Sequence, residues 1–245
     1  MKNPASLAGI DIAILAGGLG TRLSSVLADV PKVMAPVRDR PFLDHLLEAL
    51  LVQGARRVVL CLGVRSQAVL DYLAVQDYSP LEIQTSVEPY PLGTAGALAF
   101  ALPVLRSNPV MVMNGDTWSQ ANLRDFLISH NEASAPVSIL CASVSDARRY
   151  GRVQVDAGRV VKFEEKVAGP ISPGWVYAGI CLLDPVLLRR LSPTRVASLE
   201  HDFFEALPSG SLHAHCSPAS FLDIGTPESL GQAEAALAAK SARPV

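Results

Sequence analysis

The residues best suited to chemistry fall in a few short segments. Gly17-Gly18-Leu19-Gly20-Thr21-Arg22 follows the apolar run Ile12-Ala13-Ile14-Leu15-Ala16, and Pro31-Lys32 comes shortly after. Glycines lack Cβ atoms, so the backbone can approach a phosphate closely and aim successive N–H groups at it, while Arg22 and Lys32 add full charges. This points to a nucleoside triphosphate. It is not a P-loop, because Gly20 is followed by Thr21-Arg22 and not by lysine and a hydroxyl residue. A dinucleotide fingerprint needs a third small residue where Leu23 stands. Acids recur at Glu88, in Asn114-Gly115-Asp116 and in Leu222-Asp223-Ile224-Gly225, with a mixed cluster Phe163-Glu164-Glu165-Lys166 between the last two. Asp116 closes the apolar run Met111-Val112-Met113. In an open α/β sheet the ligand crevice lies beyond the carboxyl ends of the strands, so Asp116 should face the same cleft as the glycine-rich turn.

The run Ala16-Gly17-Gly18-Leu19-Gly20-Thr21-Arg22-Leu23, the Pro31-Lys32 pair and Pro91-Leu92-Gly93-Thr94-Ala95-Gly96 together closely resemble the signature of the sugar-phosphate nucleotidyltransferases, which make nucleotide-activated sugars. The matching blocks keep family order from residue 12 to residue 228. The compact length and the ending Asp223-Ile224-Gly225-Thr226-Pro227-Glu228 look most like the short bacterial branch of heptose 1-phosphate and mannose 1-phosphate guanylyltransferase-like enzymes. The resemblance implies condensation of a sugar 1-phosphate with a nucleoside triphosphate, giving a nucleotide-sugar and pyrophosphate, with Mg²⁺ as cofactor. Uridylyl- or thymidylyltransferases of hexose or aminosugar phosphates stay open as alternatives, as does a non-catalytic nucleotide-sugar-binding regulator. A regulator would have little reason to keep both Asp116 and Asp223.

Carried onto this sequence, the resemblance assigns Leu15, Ala16, Gly17, Gly18, Gly20 and Thr21 to the nucleotide, Arg22 to its β and γ phosphates and Lys32 to its α-phosphate. Glu88, Gly93 and Thr94 would line the base and ribose. A carboxylate is a pure acceptor and could take N1–H and N2–H of guanine, whereas uracil or thymine wants an amide, so Glu88 tilts the expectation toward GTP. Asp116 and Asp223 would hold Mg²⁺, which takes few protein carboxylates and fills its octahedron with water and phosphate oxygens. Arg22, Lys32 and Asp116 form the implied catalytic set. Asn114, Gly151, Glu165, Lys166, Tyr177 and Gly179 are implied for the sugar phosphate, with Lys166 on the phosphate and Glu165 on the sugar. Many relatives carry asparagine where Tyr177 stands, and a larger side chain with one hydroxyl predicts an altered sugar pocket.

These residues need a scaffold. Apolar runs alternating with amphipathic stretches predict βα units, hence an α/β fold, a Rossmann-like three-layer sandwich with a mixed, mostly parallel central sheet. Strands are expected at Asp11 to Ala16, Arg57 to Leu62, Glu82 to Val87 and Val110 to Asn114. Pro41 should open a helix that stops at Gly54, and Ser66 should cap the next. After about residue 135 the pattern becomes richer in strands, at Val137 to Ala142, Gly151 to Val155, Val160 to Phe163 and Tyr177 to Leu183. Helices follow at Pro185 to Arg190, Leu199 to Ala206 and Pro227 to Lys240, the last capped by Thr226, with a fraying tail from Ser241 to Val245.

The 245 residues are expected to form a single domain, its nucleotide-binding half at 1–135 and its sugar-phosphate half at 136–245. A net charge of −2 and a pI near 6.2 argue against nucleic-acid or acidic-membrane partners. Cys61, Cys141, Cys181 and Cys216 sit far apart, mostly in apolar runs, and read as buried free thiols. With no membrane-length apolar run and no signal-peptide pattern, a cytoplasmic protein is expected. His213 and His215 alternate on one strand face without a third metal ligand nearby. A homodimer is left open.

Overall fold

The computed structural model describes residues 6–18, 31–164, 171–190 and 195–241. Its strands are β1 (Ile12–Leu15), β2 (Pro36–Val37), β3 (Arg40–Pro41), β4 (Arg57–Leu62), β5 (Glu82–Val87), β6 (Val110–Asn114), β7 (Thr117–Ser119), β8 (Val137–Val144), β9 (Arg152–Asp156), β10 (Arg159–Glu164), β11 (Gly174–Leu183), β12 (Leu212–Ser217) and β13 (Phe221–Asp223). The helices are α1 (Phe42–Val52), α2 (Ser66–Leu73), α3 (Gly93–Ala101), α4 (Leu123–Ala133), α5 (Pro185–Leu188) and α6 (Pro227–Ser241), with a π-helical turn at Leu199–Phe204. A nine-stranded sheet runs β5-β4-β1-β6-β11-β8-β12-β10-β9. All but β11 and β10 point the same way, so the sheet is mixed and mostly parallel.

Alternation along the strands divides the core in two. Ile12, Ile14, Val58, Leu60, Met111 and Met113 face α1, α2, α4 and α6, while Ala13, Val59, Cys61, Val110 and Val112 face α3, α5 and the π-helical turn. Both faces of the central strands are therefore covered, which is why they read as continuous apolar runs in place of an alternating pattern. The result is the expected three layers.

The capping signals fare unevenly. α1 starts directly after Pro41, and Gly54 follows it in the left-handed region at φ 91°. At α6, Thr226 Oγ1 accepts from Ser229 N at 3.2 Å while Ser229 Oγ accepts from Thr226 N at 3.0 Å, a reciprocal cap. Ser66 does not cap α2. It is the first helical residue, Arg65 before it takes the flanking position at φ 68°, and no side chain caps that end. The turn is closed instead by Ser66 N donating to Gly63 O at 3.1 Å. The predicted helix at Leu199 is the shorter π-helical turn. Residues 242–245 of the expected tail lie outside the described residues.

Candidate functional site

The first wall of the site is built where β1, β4 and β6 end side by side. Leu15 is registered between Cys61 and Asn114, and Ala16 N donates to Cys61 O at 2.8 Å. Beyond it, Gly17 runs against Gly63, and a Cβ at Gly63 would lie 2.8 Å from Gly17 O and 2.7 Å from Glu88 Oε1. Only glycine allows this approach. Gly63, which no sequence motif singles out, is thus what lets the chain at Gly17 pass close to the end of β4. Glu88 is largely buried, accepts from Leu92 N at 3.2 Å and sits over Gly17. Burial pushes its carboxyl pKa up, and the Leu92 N–H partly offsets that. Gly18 is described; Gly20, Thr21 and Arg22 lie outside the described residues.

The charged centre comes next. Lys32, which opens a short 3₁₀ turn after Pro31, places Nζ 2.8 Å from Asp116 Oδ2. Asp116 lies between β6 and β7, where Gly115 N donates to Leu15 O at 2.9 Å and anchors the turn to β1. Its neighbour across the chain is Asp223. β13 pairs antiparallel with β7, registering Asp223 against Thr117, and Ile224 N donates to Asp116 O at 2.9 Å. Asp116 and Asp223, distant in sequence, thereby become backbone neighbours at one end of a two-stranded ribbon. The Asp223 carboxylate folds over Gly225, where a Cβ would meet Oδ1 at 2.9 Å. Oxygen donors of this kind and number suit Mg²⁺. Among the described residues no cluster of three or more His, Cys, Asp or Glu side chains forms a fuller cage.

Beyond the ribbon opens a cavity of about 830 Å³, lined by Asn114, Asp116, Gly151, Tyr177, Gly179 and Asp223 among others. Gly179 sits at φ 67° in a bulge, where the β8–β11 register shifts between Tyr177 and Cys181. A Cβ there would lie 2.9 Å from Asn114 Nδ2 and 3.0 Å from Thr117 Oγ1, so the bulge seats the Asn114 amide. Tyr177 contributes its ring, which packs edge-on against Phe204 at 5.6 Å. Its hydroxyl is buried near the Cys181 thiol, and burial pushes its pKa well up, with lesser contributions from Cys181 and Glu200. Tyr177 therefore shapes the cavity with an apolar surface. Glu165 and Lys166 lie outside the described residues, although Glu164 before them lines the cavity. Arg152, Thr117, Glu200 and Glu205 also line it.

Gly93 and Thr94 join the two walls. Thr94 Oγ1 accepts from Leu199 N at 2.8 Å, Ala197 O accepts from Ala95 N at 2.9 Å, and Ala197 N donates to Leu92 O at 2.9 Å. A Cβ on Gly93, at φ 73°, would come 2.5 Å from Ala197 O. The first turn of α3 is thus clasped by the segment that leads into the π-helical turn. His213 and His215 do share the β12 strand, with His213 Nε2 3.0 Å from Ser129 Oγ and His215 against the Phe126 ring, and both are packing groups away from the cavity.

The chain at Gly17, the Lys32–Asp116 contact beside the β7–β13 ribbon and the cavity beyond it lie together past the carboxyl ends of the central strands. The chain belongs to the nucleotidyl transferase family, whose model matches residues 12–240. It is 32% identical to D-glycero-alpha-D-manno-heptose 1-phosphate guanylyltransferase of Aneurinibacillus thermoaerophilus, covering 92% of this chain and 97% of that one. The enzyme of the same name from Campylobacter jejuni is 33% identical over 88% of this chain and 94% of its own. Among solved structures, HddC from Yersinia pseudotuberculosis superposes with a TM-score of 0.84 at 32% identity, covering 93% of this chain and 99% of that one; it has also been solved complexed with GMP-PN.

Proposed function

We propose that this chain transfers a guanylyl group from GTP to the phosphate of a sugar 1-phosphate, D-glycero-D-manno-heptose 1-phosphate being the favoured acceptor, and releases pyrophosphate. The observation that carries the reading is the Lys32–Asp116 contact at 2.8 Å, set beside Asp223 at the mouth of the cavity. In the absence of substrates the two charges neutralise each other. Binding a dication at the acids and a phosphate at the lysine would separate them, so each charge has a use in the reaction.

In the reaction an oxygen of the sugar phosphate attacks the α-phosphorus in line. The bond from that phosphorus to the bridging oxygen of the β-phosphate breaks, and pyrophosphate leaves on the opposite side. The nucleophile is already ionised, so no general base is required and catalysis is charge neutralisation and positioning. Lys32 would neutralise the α-phosphate, Arg22 and the Gly17 to Thr21 backbone the leaving phosphates, and Lys166 the acceptor phosphate. Asp116 and Asp223 would hold Mg²⁺, which when bound supplies positive charge to the phosphate oxygens. Glu88 would read guanine, residues 1–135 would serve the nucleotide and 136–245 the sugar. The four free cysteines support work in a reducing compartment such as the cytoplasm.

A pyrophosphate-release assay with five nucleoside triphosphates against heptose, mannose, glucose and aminosugar 1-phosphates tests the reading. GTP with heptose 1-phosphate should give the highest kcat/KM; equal use of UTP would reject the guanine assignment, and mannose 1-phosphate as the preferred acceptor would reassign the sugar. Release with no pair would favour a nucleotide-sugar-binding regulator. Asp116→Asn should abolish most Mg²⁺-dependent turnover with an unchanged circular dichroism spectrum.

A further inference from the structure

The π-helical turn Leu199–Phe204 borders the same cavity as Asp116 and Asp223, and its side chains enter none of the assignments above. Ser198, Glu200, His201 and Glu205 from this region all line the cavity. Among the described residues three glutamates reach it, and their existing partners separate them. Glu164 already accepts from Gln154 Nε2 at 2.5 Å and has Arg152 at 4.0 Å. Glu205 is half-exposed and pairs with His201 at 3.2 Å. Glu200 is half-buried; Oε2 accepts from Ser198 Oγ at 3.1 Å, and Oε1 has no hydrogen bond to a described residue.

Glu200 is also held in place. Leu199 N is fixed by Thr94 Oγ1, and Ser198 Oγ, besides donating to Glu200, accepts from His201 N at 3.3 Å. Beside it lies an aromatic shelf. Phe163 and Tyr177 line the cavity, both backed by Phe204, which stacks on the Phe163 ring at 6.3 Å and meets Tyr177 edge-on. A sugar ring has apolar C–H faces and a rim of hydroxyl donors, and a half-buried carboxylate next to an aromatic surface matches both. Because the Tyr177 hydroxyl is buried below this shelf, it leaves the hydrogen-bonding role on this wall to Glu200.

We propose that Glu200 is a specificity-determining residue, its free Oε1 accepting a hydrogen bond from a hydroxyl of the glycosyl group while the Phe163 and Tyr177 rings pack against the C–H face. The proposal rests on the guanylyltransferase reading. A charged acceptor should matter more to the sugar than an aromatic contact alone, because losing it strands a sugar hydroxyl in a partly dry pocket.

The test is steady-state kinetics of Glu200→Ala and Glu200→Gln with the sugar 1-phosphate that the unsubstituted enzyme uses best, and with its monodeoxy analogues. GTP affinity is followed by calorimetry. Glu200→Ala should raise KM for the sugar 1-phosphate about tenfold to a hundredfold. Glu200→Gln should fall between, and GTP affinity should stay within about twofold of the original. One deoxy analogue should be poor for the unsubstituted enzyme and cost Glu200→Ala nothing further. If Glu200→Ala discriminates against every analogue as the unsubstituted enzyme does, or if GTP affinity falls in both variants as much as sugar affinity, the role is overturned while the guanylyltransferase reading stands. No turnover of any sugar 1-phosphate by the unsubstituted enzyme sinks both.

Discussion

Lys32 and Asp116 hold opposite charges 2.8 Å apart, with side chains 21% and 29% exposed, so the pair is open to substrates yet partly shielded from water. Its energy is modest at such exposure, and a phosphate or a dication can break it readily. Lys32→Ala should therefore lower kcat far more than it raises KM for the sugar 1-phosphate; the reverse pattern in steady-state kinetics would move Lys32 to the acceptor side. Gly179 is constrained differently. At φ 67° with Asn114 and Thr117 side-chain atoms about where a Cβ would stand, Gly179→Ala combines backbone strain with displacement of the Asn114 amide. The expected loss is about 1–3 kcal/mol of stability in a denaturant melt, together with weaker sugar 1-phosphate binding. An unchanged KM would mean that the Asn114 position is irrelevant to the acceptor.

Elements matter here chiefly as carriers. The β7–β13 ribbon is three residues a side, far too short to stand alone, and it persists because Trp118, Leu222 and Ile224 pack into the core beneath α6. The same helix is anchored by the Thr226–Ser229 cap just after Asp223, so the cap and the proposed metal ligand are two uses of one turn. On the far side α4 docks onto β8 and β12 through His130 Nδ1, 2.7 Å from Ser138 Oγ, and through Ser129 on His213. Burial first, and the neighbouring His213 second, pull the His130 pKa down to about 4 from an ordinary 6.5. Between those values the unfolded chain binds a proton that the folded chain refuses, so stability should decline as pH falls from 6.5 towards 4. Urea midpoints at pH 7 and pH 5 would show the loss, and His130→Gln should reduce the difference; an equal pH dependence in the variant would remove His130 from the account.

Across the whole molecule, the decisive feature is that β11 returns antiparallel between β6 and β8. A strand from the second half thus completes the first half's sheet, and its outer neighbours β8 and β12 extend it. The core on each face is continuous across this seam, with Met111, Ile180 and Leu140 in one cluster and Val112, Cys181 and Ile139 in the other. Separate fragments 1–135 and 136–245 should each fail to melt cooperatively, because each would expose an apolar sheet edge. A sharp thermal transition in either fragment alone would show that the halves fold independently.

Much of this was legible in the linear sequence, for local reasons. Arg57–Leu62 and Val110–Asn114 are buried strands of nearly continuous apolar character, so their bounds could be read directly, while the edge strand Glu82–Val87 showed itself by Ile83, Thr85 and Val87 at alternate positions; Gly17, Lys32, Asp116 and Asp223 fall in short segments that match the family signature. The Ser66 cap was misread because a serine before an amphipathic run looks the same whether it lies just outside the helix or inside it; Arg65 in the left-handed region decided the matter. The role of Gly63, the place of Glu200 on the cavity wall and the burial of the Tyr177 hydroxyl were invisible because each depends on contacts between segments far apart in the chain. By itself the sequence determined the α/β class and the family, since apolar runs and glycine spacing act through nearby backbone. Only the tertiary structure decided that Asp223 lies beside Asp116, that Lys32 contacts Asp116 and that the cavity wall at Ser198 to Glu205 is hung from Thr94. Those are long-range pairings, fixed by sheet order and by the burial of side chains whose partners no local pattern names.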